Sequence, residues 1–422
     1  MKDLHKEFVN RKIKKPNVVL GKMVCFVFKQ LSKKRNVEFI YDDDFLEINK
    51  GQMILLCQHR SHDDYFYVFG GLKRCDVNIL VGYQNIFQKY VYTLLKHLGV
   101  IAKMLYQPDV QATVQMMRAV KQGNTIIIFP EGIQSTSGST HPINPATMKF
   151  IAKTKLPVGL LTLKGSYFTK PRYTTDIKKG KIEARFTCAI KKEDYDNYST
   201  DELYAKLLEK FKYNEFEEHE NNKVAFIGKK PNIDGLDNII FKCPHCMSEY
   251  KFTVENDKMR CEDCGFTISM DEYYDIHPVE KKLPFKNIDE WYKWQRRTLS
   301  EEIKSDDFVM STQIKIGKVN TQKLGPNYSL EYKGEGTLSM NNKGLTYKGS
   351  YFGQEVTLEF DANFVYSLTM SLQYDLDLYY KGEYFNFKLL ENEKQVAKWM
   401  VAAEEIHLLY DKDWKRVSEE VY

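Results

Sequence analysis

The sequence predicts an α/β domain with a mixed sheet flanked by helices, then a small cysteine-rich ribbon, then an antiparallel β domain with a closing helix. Three observations predict it. Short β-rich runs alternate with helical patterns from Met53 to about Ile190, four cysteines form two C-x-x-C pairs, and turn-divided β runs fill the chain from about Ser311 before one amphipathic segment. With 422 residues, 43% hydrophobic and 28% charged, the chain can bury two or three cores. The expected divisions are 1–215 for the α/β domain, 216–235 for a polar linker, 236–275 for the ribbon, 276–310 for a helical connector and 311–422 for the β domain.

At the N-terminus, "MKDLHKEFVNRKIKKPNVVL" has no signal-peptide core, and no apolar run reaches the roughly 18 residues of a spanning helix. A cytoplasmic, membrane-peripheral protein is expected. The net charge of +5 and pI near 8.5 suit an anionic membrane, an acidic substrate or nucleic acid equally and decide nothing. "NVVLGKMVCFVFKQLSKKR" (Asn17 to Arg35) is an apolar helical body with Lys22, Lys29, Lys33 and Lys34, able to lie at a membrane interface or to pack on the domain. "MILLC", "VNILVG", "TIIIFP", "VGLLTL" and "KIEARFTCAI" read as strands, and "DVQATVQMMRAVKQG" as a helix. In "IFQKYVYTLLKHLG", Phe87, Tyr90, Val91, Leu94 and Leu98 recur at helical spacing and predict one continuous helix.

Chemistry gathers where two of these strands end. "LLCQHRSHDD" sets His59 in the turn after the first strand, with Ser61 or Asp63 as N-cap of the next helix. Ligands of open α/β sheets bind at such carboxyl ends. His59 and Asp64 are five positions apart, so across a strand-to-helix turn the carboxylate can fold back onto the imidazole, fix its tautomer and leave the other nitrogen free as a general base. Metal ligation by His59, His62, Asp63 and Asp64, a Ser61 or Cys57 nucleophile, and a merely structural turn are the competing readings. The second signal is "TIIIFPEGIQSTSG", a buried strand running into Pro130, Glu131, Gly132 and a Ser/Thr/Gly loop whose backbone N–H groups suit an anionic or polyhydroxyl ligand.

Together the blocks resemble the glycerophospholipid acyltransferases, which include 1-acyl-sn-glycerol-3-phosphate acyltransferase. His59 and Asp64 in "HRSHDD", Phe129 to Gly132 in "FPEG", and "LPVGLL" at Leu156 to Leu161 match that family's blocks in order, over about residues 16–215. The chain looks like a bacterial form with a C-terminal extension. The resemblance implies transfer of an acyl group from a thioester donor, acyl-CoA or acyl carrier protein, to the hydroxyl of a lysophospholipid in phospholipid biosynthesis. It implies His59 as general base, Asp64 as its orienter, and Glu131, Gly132 and Pro130 at the acceptor, with a membrane surface as partner, attachment to the inner face of the cell membrane and no catalytic cofactor. Two arginines that many relatives use for the acceptor phosphate are missing: Gln134 stands at one place, and "LGVIAKMLYQPD" offers only Lys103, the expected phosphate partner.

"KCPHC" and "RCEDC" put Cys243, Cys246, Cys261 and Cys264 on two tight turns with fourteen residues between the pairs, at the edge of the zinc-ribbon range. One structural Zn²⁺ per chain is expected, and its loss is expected to disorder the ribbon while sparing the first domain. A ribbon also supports the alternative of a nucleic-acid or protein-binding module with an inactive acyltransferase-like domain. Its loop "MSEYKFTVENDKMR" mixes both charge signs, so no nucleic acid is expected. The final strands, closed by a helix with apolar Val396, Trp399, Met400 and Ala403, resemble a pleckstrin-homology-like fold.

Overall fold

The computed structural model describes residues 3–326, 328–371 and 375–419. Seven strands form the first sheet: β1 (Val37–Tyr41), β2 (Ile54–Cys57), β3 (Val77–Gly82), β4 (Ile101–Lys103), β5 (Thr125–Ile128), β6 (Val158–Lys164) and β7 (Ile182–Ile190). Their order is β1-β7-β6-β2-β5-β3-β4, and every neighbour pair is parallel except β6 with β7. The mixed sheet is thus present. Central β2 and β5 are buried at every residue, which is why they read as unbroken apolar runs. Alternation sorts their side chains, with Leu55, Cys57 and Ile127 in one core and Ile54, Leu56, Ile126 and Ile128 in the other. Leu56 pairs with Ile128 in parallel, so residues three further along each chain, His59 and Glu131, emerge side by side.

The continuous helix expected over Phe87 to Leu98 is broken. A 3₁₀ turn covers Tyr83–Phe87, a short helix covers Tyr92–His97, and Tyr90 is exposed. The Lys89 N–H donates to the Gly325 carbonyl at 2.8 Å and the Gly325 N–H to the Phe87 carbonyl at 3.1 Å. Backbone groups that a helix would satisfy internally are used to join the C-terminal domain, so tertiary pairing overrides the periodicity.

The second sheet holds β8 (Phe252–Glu255), β9 (Lys258–Cys261), β10 (Thr267–Met270) and β11 (Ile276–Pro278), all antiparallel. After a connector helix, Ile288–Ile303, come β12 (Val309–Val319), β13 (Leu330–Asn341), β14 (Gly344–Tyr351), β15 (Gln354–Asp361), β16 (Thr369–Met370), β17 (Asp375–Tyr380) and β18 (Glu383–Leu389). They form an antiparallel sheet in the order β15-β14-β13-β12-β18-β17-β16. The two-residue turns Phe352-Gly353 and Lys381-Gly382 have positive φ throughout, as tight hairpins require. The closing helix Val396–Leu408 is buried almost all round, because the connector helix covers the side that the sheet leaves open. Arg296 of the connector meets Glu404 and Glu405 there.

The parts share a core. Phe252, Phe266, Trp291, Leu338, Trp399, Tyr167, Phe168 and Phe226 all belong to one apolar cluster, so the ribbon is not a detachable module. Residues 216–235 are no free tether either: helix Glu215–Glu220 opens the stretch, and Phe216, Phe226 and Ile233 are buried in that cluster. Clustered charge concealed these apolar anchors. The helix Val18–Lys34 docks through buried Gly21 and Ser32, where the Ser32 hydroxyl donates to the Phe66 carbonyl at 3.1 Å. Val18, Val19, Met23, Phe26 and Val27 are left exposed. Among the described residues no helix is long and apolar enough to cross a membrane.

Candidate active site

His59 leaves β2 in a turn that ends where helix Asp64–Gly71 begins. Asp64 is wholly buried and faces back into the turn. Its Oδ2 accepts from the backbone N–H of Arg60 at 2.5 Å and Ser61 at 2.8 Å and lies 3.0 Å from His59 Nδ1. Its Oδ1 accepts from the hydroxyls of Ser61 at 3.2 Å and Ser166 at 2.6 Å. A carboxylate so placed only accepts, so Nδ1 carries the proton and Nε2 keeps its lone pair. The imidazole is 23% exposed, lies against Phe129 with ring centroids 4.8 Å apart, and lines the cleft. Asp63 takes the N-cap position without a capping side-chain bond, its Oδ2 instead accepting from Arg35 Nη2 at 2.6 Å, while the Ser61 hydroxyl accepts from the Asp63 N–H at 3.3 Å.

Glu131, expected at the acceptor, is also tied to the backbone around it. The residue lines the cleft but its carboxylate is buried and engaged: Oε1 accepts the His59 N–H at 2.9 Å, and Oε2 accepts the His141 N–H at 2.7 Å with Arg60 Nη1 at 3.5 Å. Burial raises its pKa, opposed by Arg60 and by these amides. Pro130 and Gly132 line the cleft through the turn itself. Gly132 has φ +77°, and a Cβ there would meet the Tyr106 ring at 3.4 Å. The Ser/Thr/Gly loop is also not an open anion cradle. Ser137 and Ser139 donate to Asp289 of the connector helix at 2.5 and 2.7 Å, and Ser135 donates to the Ser139 carbonyl at 2.6 Å. Its polar groups fasten one part of the chain to another.

The cleft has a volume of about 1440 Å³ and is largely apolar, with Leu94, Leu98, Val110, Val114, Met117 and Phe150 among its walls. Lys103 lies on it, its ammonium donating to the carbonyls of Met104 at 3.2 Å and Gln107 at 3.3 Å, and burial lowers its pKa against the pull of Asp109. The C-terminal domain contributes Tyr328, Tyr366, Met370 and Trp414 to the same walls. Sequence reasoning missed Ser166, Arg60 and Arg172. Arg60 sat inside a recognised block, whereas Ser166 and Arg172 belong to no motif.

The four cysteine sulfurs lie within 4.8 Å of one another, with Cys243 to Cys264 and Cys246 to Cys261 both at 3.7 Å. Tetrahedral bonds of about 2.3 Å require sulfur separations of about 3.8 Å, so the donor set fits one metal ion. His245 instead meets the Lys282 carbonyl at 3.0 Å.

Residues 31–160 match the family model described as Acyltransferase, a span that includes His59, Asp64 and Glu131. The site therefore lies inside the stretch of this chain that is similar to that family. Among curated proteins, the 1-acyl-sn-glycerol-3-phosphate acyltransferase of Cocos nucifera is 24% identical over 155 residues, 36% of this chain and 49% of the relative. The chain therefore spans about half the length of that relative. Among solved structures, the 1-acyl-sn-glycerophosphate (LPA) acyltransferase of Thermotoga maritima is 18% identical, covering 45% of this chain and 76% of its own, with a TM-score of 0.38.

Proposed function

We propose that the protein transfers a fatty acyl group from a thioester donor, acyl-CoA or acyl carrier protein, to the hydroxyl of a lysophospholipid, with 1-acyl-sn-glycerol 3-phosphate as the preferred acceptor. The observation that carries this is the Asp64-bound His59 facing an apolar cleft. His59 Nε2 takes the acceptor's hydroxyl proton as that oxygen attacks the thioester carbonyl. Asp64 stabilises the imidazolium. When the tetrahedral intermediate collapses, the C–S bond breaks and the imidazolium returns its proton to the departing thiolate. Positioned base catalysis of this kind contributes about 10²- to 10⁴-fold. Pro130 and the Gly132 backbone shape the acceptor's floor, Glu131 holds the base's turn, and Lys103 is a candidate contact for the phosphate.

The exposed face of Val18–Lys34, with Val19, Met23 and Phe26 beside its lysines, supports attachment to the inner face of the cell membrane, where the acceptor resides. The four cysteines hold a structural zinc, and the last sheet with its closing helix is a pleckstrin-homology-like domain. The test incubates full-length protein with a panel of lysophospholipids and both donors and reads products by mass spectrometry. Conversion of 1-acylglycerol 3-phosphate to the diacyl product is expected. No acylation of any acceptor would sink the reading.

A further inference from the structure

The cleft wall carries an arginine with no carboxylate in direct ion-pair contact among the described residues, Glu404 and Asp377 acting on it only from a distance. Arg172 lies in the loop after the short helix Ser166–Thr169, anchored by buried Pro171 and Tyr173 on either side. Its Nη2 donates to the Met370 carbonyl at 2.8 Å, and its Nη1 to the Gln134 carbonyl at 3.3 Å and the Thr136 hydroxyl at 3.4 Å. The fully buried guanidiniums among the described residues differ: Arg60 faces Glu131, and Arg296 lies between Glu404 and Glu405. Neutral carbonyls orient a guanidinium without cancelling its charge, so one held this way on a ligand cleft is poised for an anion. Burial lowers the pKa of Arg172, opposed by Tyr106, Tyr292, Glu404 and Asp377 around it.

Its placement ties it to the base. Gln134 accepts from Arg172, and the next N–H, that of Ser135, donates to the His59 carbonyl at 2.8 Å. A single peptide group thus separates the guanidinium's anchor from the base's own backbone. We propose that Arg172, clamped between the Gln134 turn and Met370 of the C-terminal β domain, is the residue that receives the phosphate monoester of the acceptor. This inference rests on the acyl-transfer reading above. In 1-acylglycerol 3-phosphate the reacting hydroxyl and the phosphate sit on adjacent carbons, so the cation that reads the phosphate must lie close to the base. A planar fork of donors matches phosphate oxygens better than the point charge of Lys103, whose ammonium already faces two carbonyls. The acceptor site then spans two domains.

The experiment compares full-length wild type, Arg172→Ala, Arg172→Lys and Lys103→Ala on 1-acylglycerol 3-phosphate and on the corresponding 1-acylglycerol, which keeps the hydroxyl and lacks the phosphate. Arg172→Ala is expected to raise KM for the phosphorylated acceptor by about 10- to 100-fold, as loss of a charge-assisted contact does. The neutral acceptor and the donor should change by no more than about twofold, with partial recovery in Arg172→Lys and a smaller effect in Lys103→Ala. Equal loss on both acceptors, or a raised KM for the donor in place of the acceptor, would overturn the assignment. If wild type acylates neither acceptor, the acyl-transfer reading itself fails. Calorimetric titration with glycerol 3-phosphate then decides the anion site: binding lost in Arg172→Ala supports it, and binding unchanged by the substitution, or absent from wild type, rejects it.

Discussion

The two turns at the ends of β2 and β5 are near twins by position. Each follows a fully buried four-residue strand, each brings a carboxylate, and the strands lie side by side. Their carboxylates do opposite things. Asp64 holds a partly exposed imidazole and leaves one ring nitrogen for chemistry, whereas Glu131 spends both oxygens on the backbone of the first turn and of His141. Similar strand-end motifs therefore divide into one that presents an imidazole to the cleft and one that holds that turn in place. Which is which depends on where the carboxylate oxygens point, and no spacing rule reveals that.

The largest effect expected tests the reacting turn. His59→Ala should lower kcat by about 10²-fold or more with little change in Tm, and Asp64→Asn somewhat less. Near-normal turnover in folded His59→Ala would break the comparison at its first member. The holding turn should respond differently: Glu131→Gln should lose about tenfold in kcat, lower Tm by several degrees and leave the acceptor KM almost unchanged, because a buried hydrogen-bonded charge is lost and no ligand contact is. A selective rise in acceptor KM would instead make Glu131 a binding group. The smallest catalytic effect is expected from the metal. Fresh reduced protein should contain about one zinc per chain, and chelation or Cys261→Ser should lower Tm and reduce kcat a few-fold. The route is specific: the Tyr274 hydroxyl, beside the ribbon, donates to the Phe168 carbonyl at 2.8 Å, and Phe168 shares a short helix with Ser166, the donor to Asp64. Elemental analysis that finds no metal, or activity indifferent to its removal, would separate ribbon from site.

Much of the first domain is legible in the sequence because its determinants are local. Continuous apolar runs marked β2 and β5, and the five-position interval from His59 to Asp64 suffices for a turn to close on itself. What was hidden depends on partners far along the chain. Gly325 breaks the helix at Gln88 to Val91, Asp289 claims the hydroxyls of Ser137 and Ser139, and Met370 orients Arg172. Periodicity carries no trace of such pairings. The apolar anchors Phe216, Phe226 and Ile233 were likewise masked by the charged residues around them. Their burial is why the stretch read as a linker belongs to a core.

That reach of late residues into an early site bears on how the protein matures as it is made. His59 and Asp64 leave the ribosome early, yet the loop beside them stays unfastened until Asp289 emerges, and the guanidinium of Arg172 lacks its Met370 carbonyl until later still. At about 5 to 20 residues per second the interval from Asp64 to Met370 lasts on the order of 15 to 60 s. Throughout it the nascent chain carries His59 and Asp64 without the finished cleft. The complete cleft thus forms only after Met370 has emerged.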